Sequence, residues 1–180
     1  MSMRLICRLL LFFVVLPSGF IAAQDPAPTL SVKGDVQKPV QFTIEDLKTR
    51  FAGQVQKVSF TGRDKQQMTG TGLSVAGIVQ AAGLKTDAQI RHHELKFFVI
   101  FEAKDSYQAF FALAELVPVH GGSPKAFLVW EVDGKPLDEK DAPLRLVLTS
   151  NGQAREIRAV TSITLVDGVE LANQLKQKNR

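Results

Sequence analysis

Cysteine is almost missing from this chain. Cys7 is the only one among 180 residues, and it falls in a stretch that reads as a leader. A mature chain without it forms no disulfide and holds no metal through a thiolate. It also carries no cysteine nucleophile and seats no iron–sulfur cluster. No cysteine stands beside the expected cleavage point to accept a lipid. Long apolar runs are missing too. Leu9–Leu16 is eight residues, whereas ~30 Å of hydrocarbon takes about 20 residues in helix. No G-x-S-x-G surrounds Ser59 or Ser74, so acyl transfer lacks its motif. Gly70 and Gly72 do not open a G-x-G-x-x-G turn, which leaves nucleotide binding unsupported.

Export is expected from the first 23 residues. Arg4 and Arg8 precede the apolar run, Pro17-Ser18 breaks it, and Ala23 offers a small residue for cleavage. The remaining 157 residues carry 20 basic and 18 acidic side chains. The calculated pI of 9.3 therefore owes part of its value to the leader and argues only weakly for nucleic acid or an anionic membrane; no nucleic-acid partner is expected. Such a length supports one ordinary core, without disulfides. The division expected is a signal peptide over 1–23, a Pro-rich lead-in over 24–29, one domain over 30–167 and a charged, frayed tail over 168–180. A periplasmic or secreted location follows, with no membrane-spanning segment after cleavage.

Alternation at Leu30, Val32, Val36, Val40 and Phe42 around Gly34-Asp35 predicts two short strands. Thr43 to Asp46 has capping-box spacing and predicts a helix with Ile44, Leu47 and Phe51 on one face, stopped by Gly53. Val55, Val58 and Phe60 suggest a strand. Met68–Leu73 reads as a Gly-rich turn before a helix that ends at Gly83. Leu95–Phe101 reads as a strand buried on both faces, and Phe110–Val117 as a mixed stretch with a helical turn. Asp133-Gly134 follows the strand Phe127–Val132 as a hairpin signal. Strands over Leu144–Leu148, Arg155–Val160 and Ile163–Val166 complete a β-dominated α+β fold.

Few residues invite chemistry. His92 and His93 are neighbours, so on a strand they point apart and do not share a metal; with His120 they read as solvated loop histidines. Asp46, Glu102, Glu115 and Glu131 are scattered carboxylates. Asp105-Ser106-Tyr107 reads as a turn. Arg145, Arg155 and Arg158 lie on successive C-terminal strands, where they form either an anion site or a solvated basic face.

The order of these signals resembles a known family. Leu30 to Leu47, L-S-V-K-G-D-V-Q-K-P-V-Q-F-T-I-E-D-L, is similar to the opening of the molybdopterin-binding oxidoreductase domain, the catalytic fold of sulfite oxidase. T-G-T-G-L and the helix ending A-A-G-L, over Thr69 to Leu84, resemble that family's threonine-glycine turn and helix. D-S-Y at Asp105 resembles its D-G-Y element, with Ser106 for the glycine. V-W-E-V-D-G-K-P-L and A-P-L-R-L-V-L, between Val129 and Leu148, resemble its hairpin and arginine-bearing strand.

What the resemblance implies stops short of the usual enzyme. The family holds molybdenum through a pterin dithiolene and one protein cysteine, a soft ligand suited to that site. The cysteine position falls near Val58 or Ser59, and neither supplies a thiolate. Thr149 replaces the proline that closes the strand, and Arg158-Ala159 replaces a lysine–tryptophan pair. The resemblance thus implies Arg145, Arg158, Ser59 and Tyr107 as residues for a molybdopterin or another small anionic ligand. No stoichiometric molybdenum is expected. One alternative is an active molybdopterin-dependent oxidoreductase with a cysteine-free site. The other is a module sensing a ligand or a periplasmic protein partner, with Trp130 or the neighbours of Phe110 as contacts.

Overall fold

The computed structural model describes residues 29–62, 64–118, 125–149 and 156–179. The leader, most of the lead-in, His120 and Arg155 lie outside these residues. Strands β1 (Thr29–Gly34) and β2 (Val40–Thr43) lead into helix α1 (Ile44–Arg50) and a 3-10 turn at Ala52–Gln54. Next come β3 (Gln56–Thr61), β4 (Gln67–Ser74) and α2 (Val75–Ala82). A 3-10 turn at His93–Lys96 precedes β5 (Phe97–Ala103), β6 (Gln108–Ala112) and α3 (Leu113–Leu116). The last elements are β7 (Ala126–Val132), β8 (Lys135–Pro136), β9 (Arg145–Leu148), β10 (Val160–Asp167) and α4 (Gly168–Lys178).

They form two sheets. One has the order β2-β1-β10-β5-β6, and only its β1–β10 pair is parallel. In the other, β3-β4-β7 are consecutive and both β8 and β9 pair with β7. The main core draws Leu30, Val32, Phe101, Phe111, Ile163 and Leu165 from the first sheet. Leu73, Leu128 and Leu146 from the second join them, with Val75 and Ile78 of α2. A smaller cluster, Val58, Phe60, Phe127, Val129 and Val147, lies on the opposite face of the second sheet. A β-dominated α+β domain is the result.

Local signals act where they were expected. The Thr43 hydroxyl accepts the Asp46 amide at 3.0 Å, and Asp46 Oδ2 accepts the Thr43 amide at 3.0 Å. The Thr43 amide first, and its hydroxyl second, hold the Asp46 carboxyl below its ordinary value. Gly83 caps α2 with φ 66°, a left-handed value that glycine adopts without strain.

Other stretches depart from the sequence reading. Met68–Leu73 is not a turn but the middle of β4, paired to β3 and β7. Its glycines answer to packing: a Cβ on Gly72 would collide with the Leu128 carbonyl of β7. β5 begins at Phe97, two residues late, and alternates in burial, with Phe98 45% exposed. The 168–180 tail is largely the helix α4, which Asp167 caps through the Val169 and Glu170 amides. Of the Arg155–Val160 stretch, the described part shows only a bridge from Ile157 to Leu146 before β10 begins. Trp130 is buried in the core and is no surface contact.

Candidate functional site

β9 sets Arg145 and Val147 on the same face, because residues two apart on a strand point the same way. That is the face of the smaller apolar cluster, and the Arg145 guanidinium carbon lies 5.3 Å from the centroid of the Phe60 ring. Arg145 is only 5% exposed. Its Nη1 donates to Asp141 Oδ2 at 3.0 Å and its Nη2 to Glu156 Oε2 at 2.6 Å. Two charge-assisted bonds to two buried carboxylates balance the cation locally. The segment carrying Asp141 is itself fixed, since the Asp141 amide donates to Asp138 Oδ1 at 2.9 Å and its carbonyl accepts the Ala159 amide at 3.0 Å.

Arg158 reaches the same carboxylate from outside. Its Nε sits 3.1 Å from Asp141 Oδ1, with the side chain 43% exposed. Beyond it lies a cavity of about 320 Å³, lined by Lys104, Asp105, Glu139, Lys140, Arg158 and Ala159. The Lys104 amide donates to the Ala159 carbonyl at 2.9 Å, which brings the Asp105–Tyr107 turn to the same end of the molecule. Tyr107 is exposed there, behind Ser106 at φ 66°.

The structure thus brings Arg145 and Arg158 together and places the Tyr107 turn nearby. Ser59 is not part of this group. Val58 and Phe60 are buried on the Arg145 face of β3, so Ser59, between them, projects from the opposite face and is exposed. Arg145, expected to face a ligand phosphate, instead faces Asp141 and Glu156. Those two acids were missed by sequence reasoning. The only local hint was Asp141 four residues before Arg145, on a segment with no helical pattern.

A second polar centre was also missed. His93, expected to be solvated, is buried. Its Nδ1 accepts the Asp87 amide at 2.7 Å, which leaves the ring proton on Nε2, 2.9 Å from Asp167 Oδ2. Burial pushes the Asp167 carboxyl up, but His93 and the Val169 and Glu170 amides outweigh it and hold the group below its ordinary value. Through these two contacts His93 ties the 87–93 segment to the start of α4. It borders a cavity of about 500 Å³ with Lys85, Asp87 and Asn173. A larger cavity of about 550 Å³, mostly apolar, is walled by Ala76 and Val79 of α2 with Leu84, Leu113 and Val117.

With this geometry, the comparison with known families becomes informative. The model of the oxidoreductase molybdopterin binding domain matches residues 21–173, and the chain belongs to that family. A search of curated proteins returns no match. The side chains do not fit the family's metal centre. No residue after Cys7 is a thiolate source, and Val58 is packed in the smaller apolar cluster. Among the described residues, no group of three or more His, Cys, Asp or Glu side chains converges on a metal position. Arg145 offers no free fork to a cofactor phosphate.

Proposed function

We propose that this protein is an exported ligand-binding member of the family that takes a small anion at its Arg158 end and does not work through thiolate-held molybdenum. One observation carries the reading. The two arginines share Asp141, yet only Arg158 keeps an exposed head group, beside Lys104 and Lys140 on one cavity wall. Guanidinium and ammonium donors at a concave site suit phosphate or pyrophosphate. Asp105 and Glu139 on the same wall temper the field, which favours a modest, selective affinity over bulk anion capture.

Protein purified from its native compartment, analysed for metal and for pterin fluorescence, tests the reading together with pyrophosphate titration. The expected result is substoichiometric molybdenum, saturable pyrophosphate binding, and at least a tenfold loss in Arg158→Ala, the equivalent of about 1.4 kcal/mol. One molybdenum per chain would overturn the metal half. Pyrophosphate bound equally well by Arg158→Ala would remove the anion site. Intact mass of the exported product should place Gln24 at its N-terminus.

A further inference from the structure

Sheet edges expose unpaired amides and carbonyls, and proteins usually defend them with charge, proline or bulges. Most edges in this molecule are defended in that way. β2 follows Lys38-Pro39 and is only four residues long, β3 carries exposed Lys57, and β8 is Lys135-Pro136. The free side of β9 is bridged by Ile157. β6 is different. Gln108-Ala-Phe-Phe-Ala112 has no charge and no proline, and its register against β5 runs without a bulge. It ends its sheet among the described residues.

We propose that β6 is the seat of a two-fold dimer, pairing antiparallel with β6 of a second copy. The phase of the ladder sets the centre. Ala103 donates to the Tyr107 carbonyl, and bonded pairs alternate along an antiparallel ladder. Ala109 and Phe111 therefore bond to β5, while the amides and carbonyls of Gln108, Phe110 and Ala112 point outward. A two-fold axis at Phe110 pairs it with its own copy, and pairs Gln108 with Ala112 on either side. Each pair exchanges two bonds, about six in all. A self-complementary edge of this kind closes on one partner and leaves no further edge to extend.

The side chains on this face support the same partner. Ile100 pairs with Phe110 and Phe98 with Ala112, so Phe98 and Phe110 share one face at diagonal distance. They are 45% and 62% exposed. α4 starts over Phe98, because a Cβ on Gly168 would stand 2.8 Å from the Phe98 ring. Leu171 and Leu175 continue that helix face and are 41% and 54% exposed. α4 buries none of its eleven residues, and a helix this short is not stable on its own in water. At about 150–250 Å² per aromatic side chain, Phe98 and Phe110 leave about 200 Å² of apolar surface uncovered per copy. With the strand and the leucines, this remains a small patch beside the usual ~800 Å² per partner. A small interface of this kind suits a dimer in exchange with monomer.

Sedimentation velocity of the secreted protein from about 1 to about 200 µM is the test, since a two-fold equilibrium shifts with concentration. The mass should rise from monomer to dimer across that range, and Phe110→Lys should raise the dissociation constant at least tenfold. In wild-type protein, amide exchange at Phe110 should slow as concentration rises. Exchange at Phe111, bonded to β5, should not change, and its protection in Phe110→Lys shows that the fold is intact. If Phe110→Lys fails to fold, the concentration dependence of wild-type exchange decides alone. Monomer mass throughout would overturn the proposal. So would dimerisation untouched by a folded Phe110→Lys, or a monomer that adheres through this face only to phosphatidylglycerol vesicles.

Discussion

Arg145 and Arg158 hold the same carboxylate from opposite sides, and almost everything else about them differs. Arg145 lies inside, over Phe60, with Asp141 and Glu156 on its two terminal nitrogens. Arg158 lies at the rim of a cavity with Lys104 and Lys140. Burial makes the first a structural tie, because a desolvated cation is tolerable only with opposite charges held against it. Exposure leaves the second in water, where ion pairs contribute about 0–1 kcal/mol. The same residue type, one carboxylate apart, sits in two environments.

Substitutions at three positions sharpen or break that comparison. The largest effect belongs to Arg145→Ala, which strands Glu156 as an unpaired buried charge and leaves Asp141 with Arg158 alone. Urea unfolding should show a loss of about 3–5 kcal/mol, the usual cost of breaking a buried pair on one side. A loss below about 1 kcal/mol would mean that the pair relaxes into water and that Arg145 is not a tie.

Asp167 offers an intermediate case, a buried carboxylate opposite a histidine. Asp167→Ala removes the cap of α4 and should cost about 0.5–2 kcal/mol. Because its carboxyl is held below the ordinary value, it stabilises the fold while ionised. That contribution is complete above the unfolded value of about 3.9 and is lost as pH falls through the depressed folded value. Thermal melts of Asp167→Asn should accordingly show a shallower decline than wild type below about pH 4. An identical acid limb would show that His93 does not favour the charged form.

The smallest change in stability is expected for Arg158→Ala, within about 1 kcal/mol by the same unfolding assay. Its effect should be seen in ligand titration instead. If Arg158→Ala were as destabilising as Arg145→Ala, the division between an inner tie and an outer binding group would fail.

Much of the fold was legible because its signals are local. The Thr43 capping box, the Gly83 stop and the Asp133-Gly134 hairpin each need only residues a few positions apart. Misreadings occurred where the deciding partner is distant. Gly70 and Gly72 looked like a turn because nothing nearby reveals that β7 passes against them. His93 looked solvated because its carboxylate partner, Asp167, comes 74 positions later. The tail looked frayed because its cap is the last residue of β10, which only β1 and β5 fix in place.

The amino-acid sequence by itself determined that this chain has no thiolate beyond Cys7, that its charge is nearly balanced, and that it carries the family's succession of strands and turns. Those follow from composition and from contacts along the chain. Tertiary structure alone decided which of these cations is buried and which meets solvent. Strand parity turned Ser59 away from Arg145, the fold carried Glu156 and Asp141 to the Arg145 guanidinium, and the rim position of Arg158 left its head group in water. An arginine's chemistry is the same in every sequence; its partners and its dielectric are set by what folding places around it.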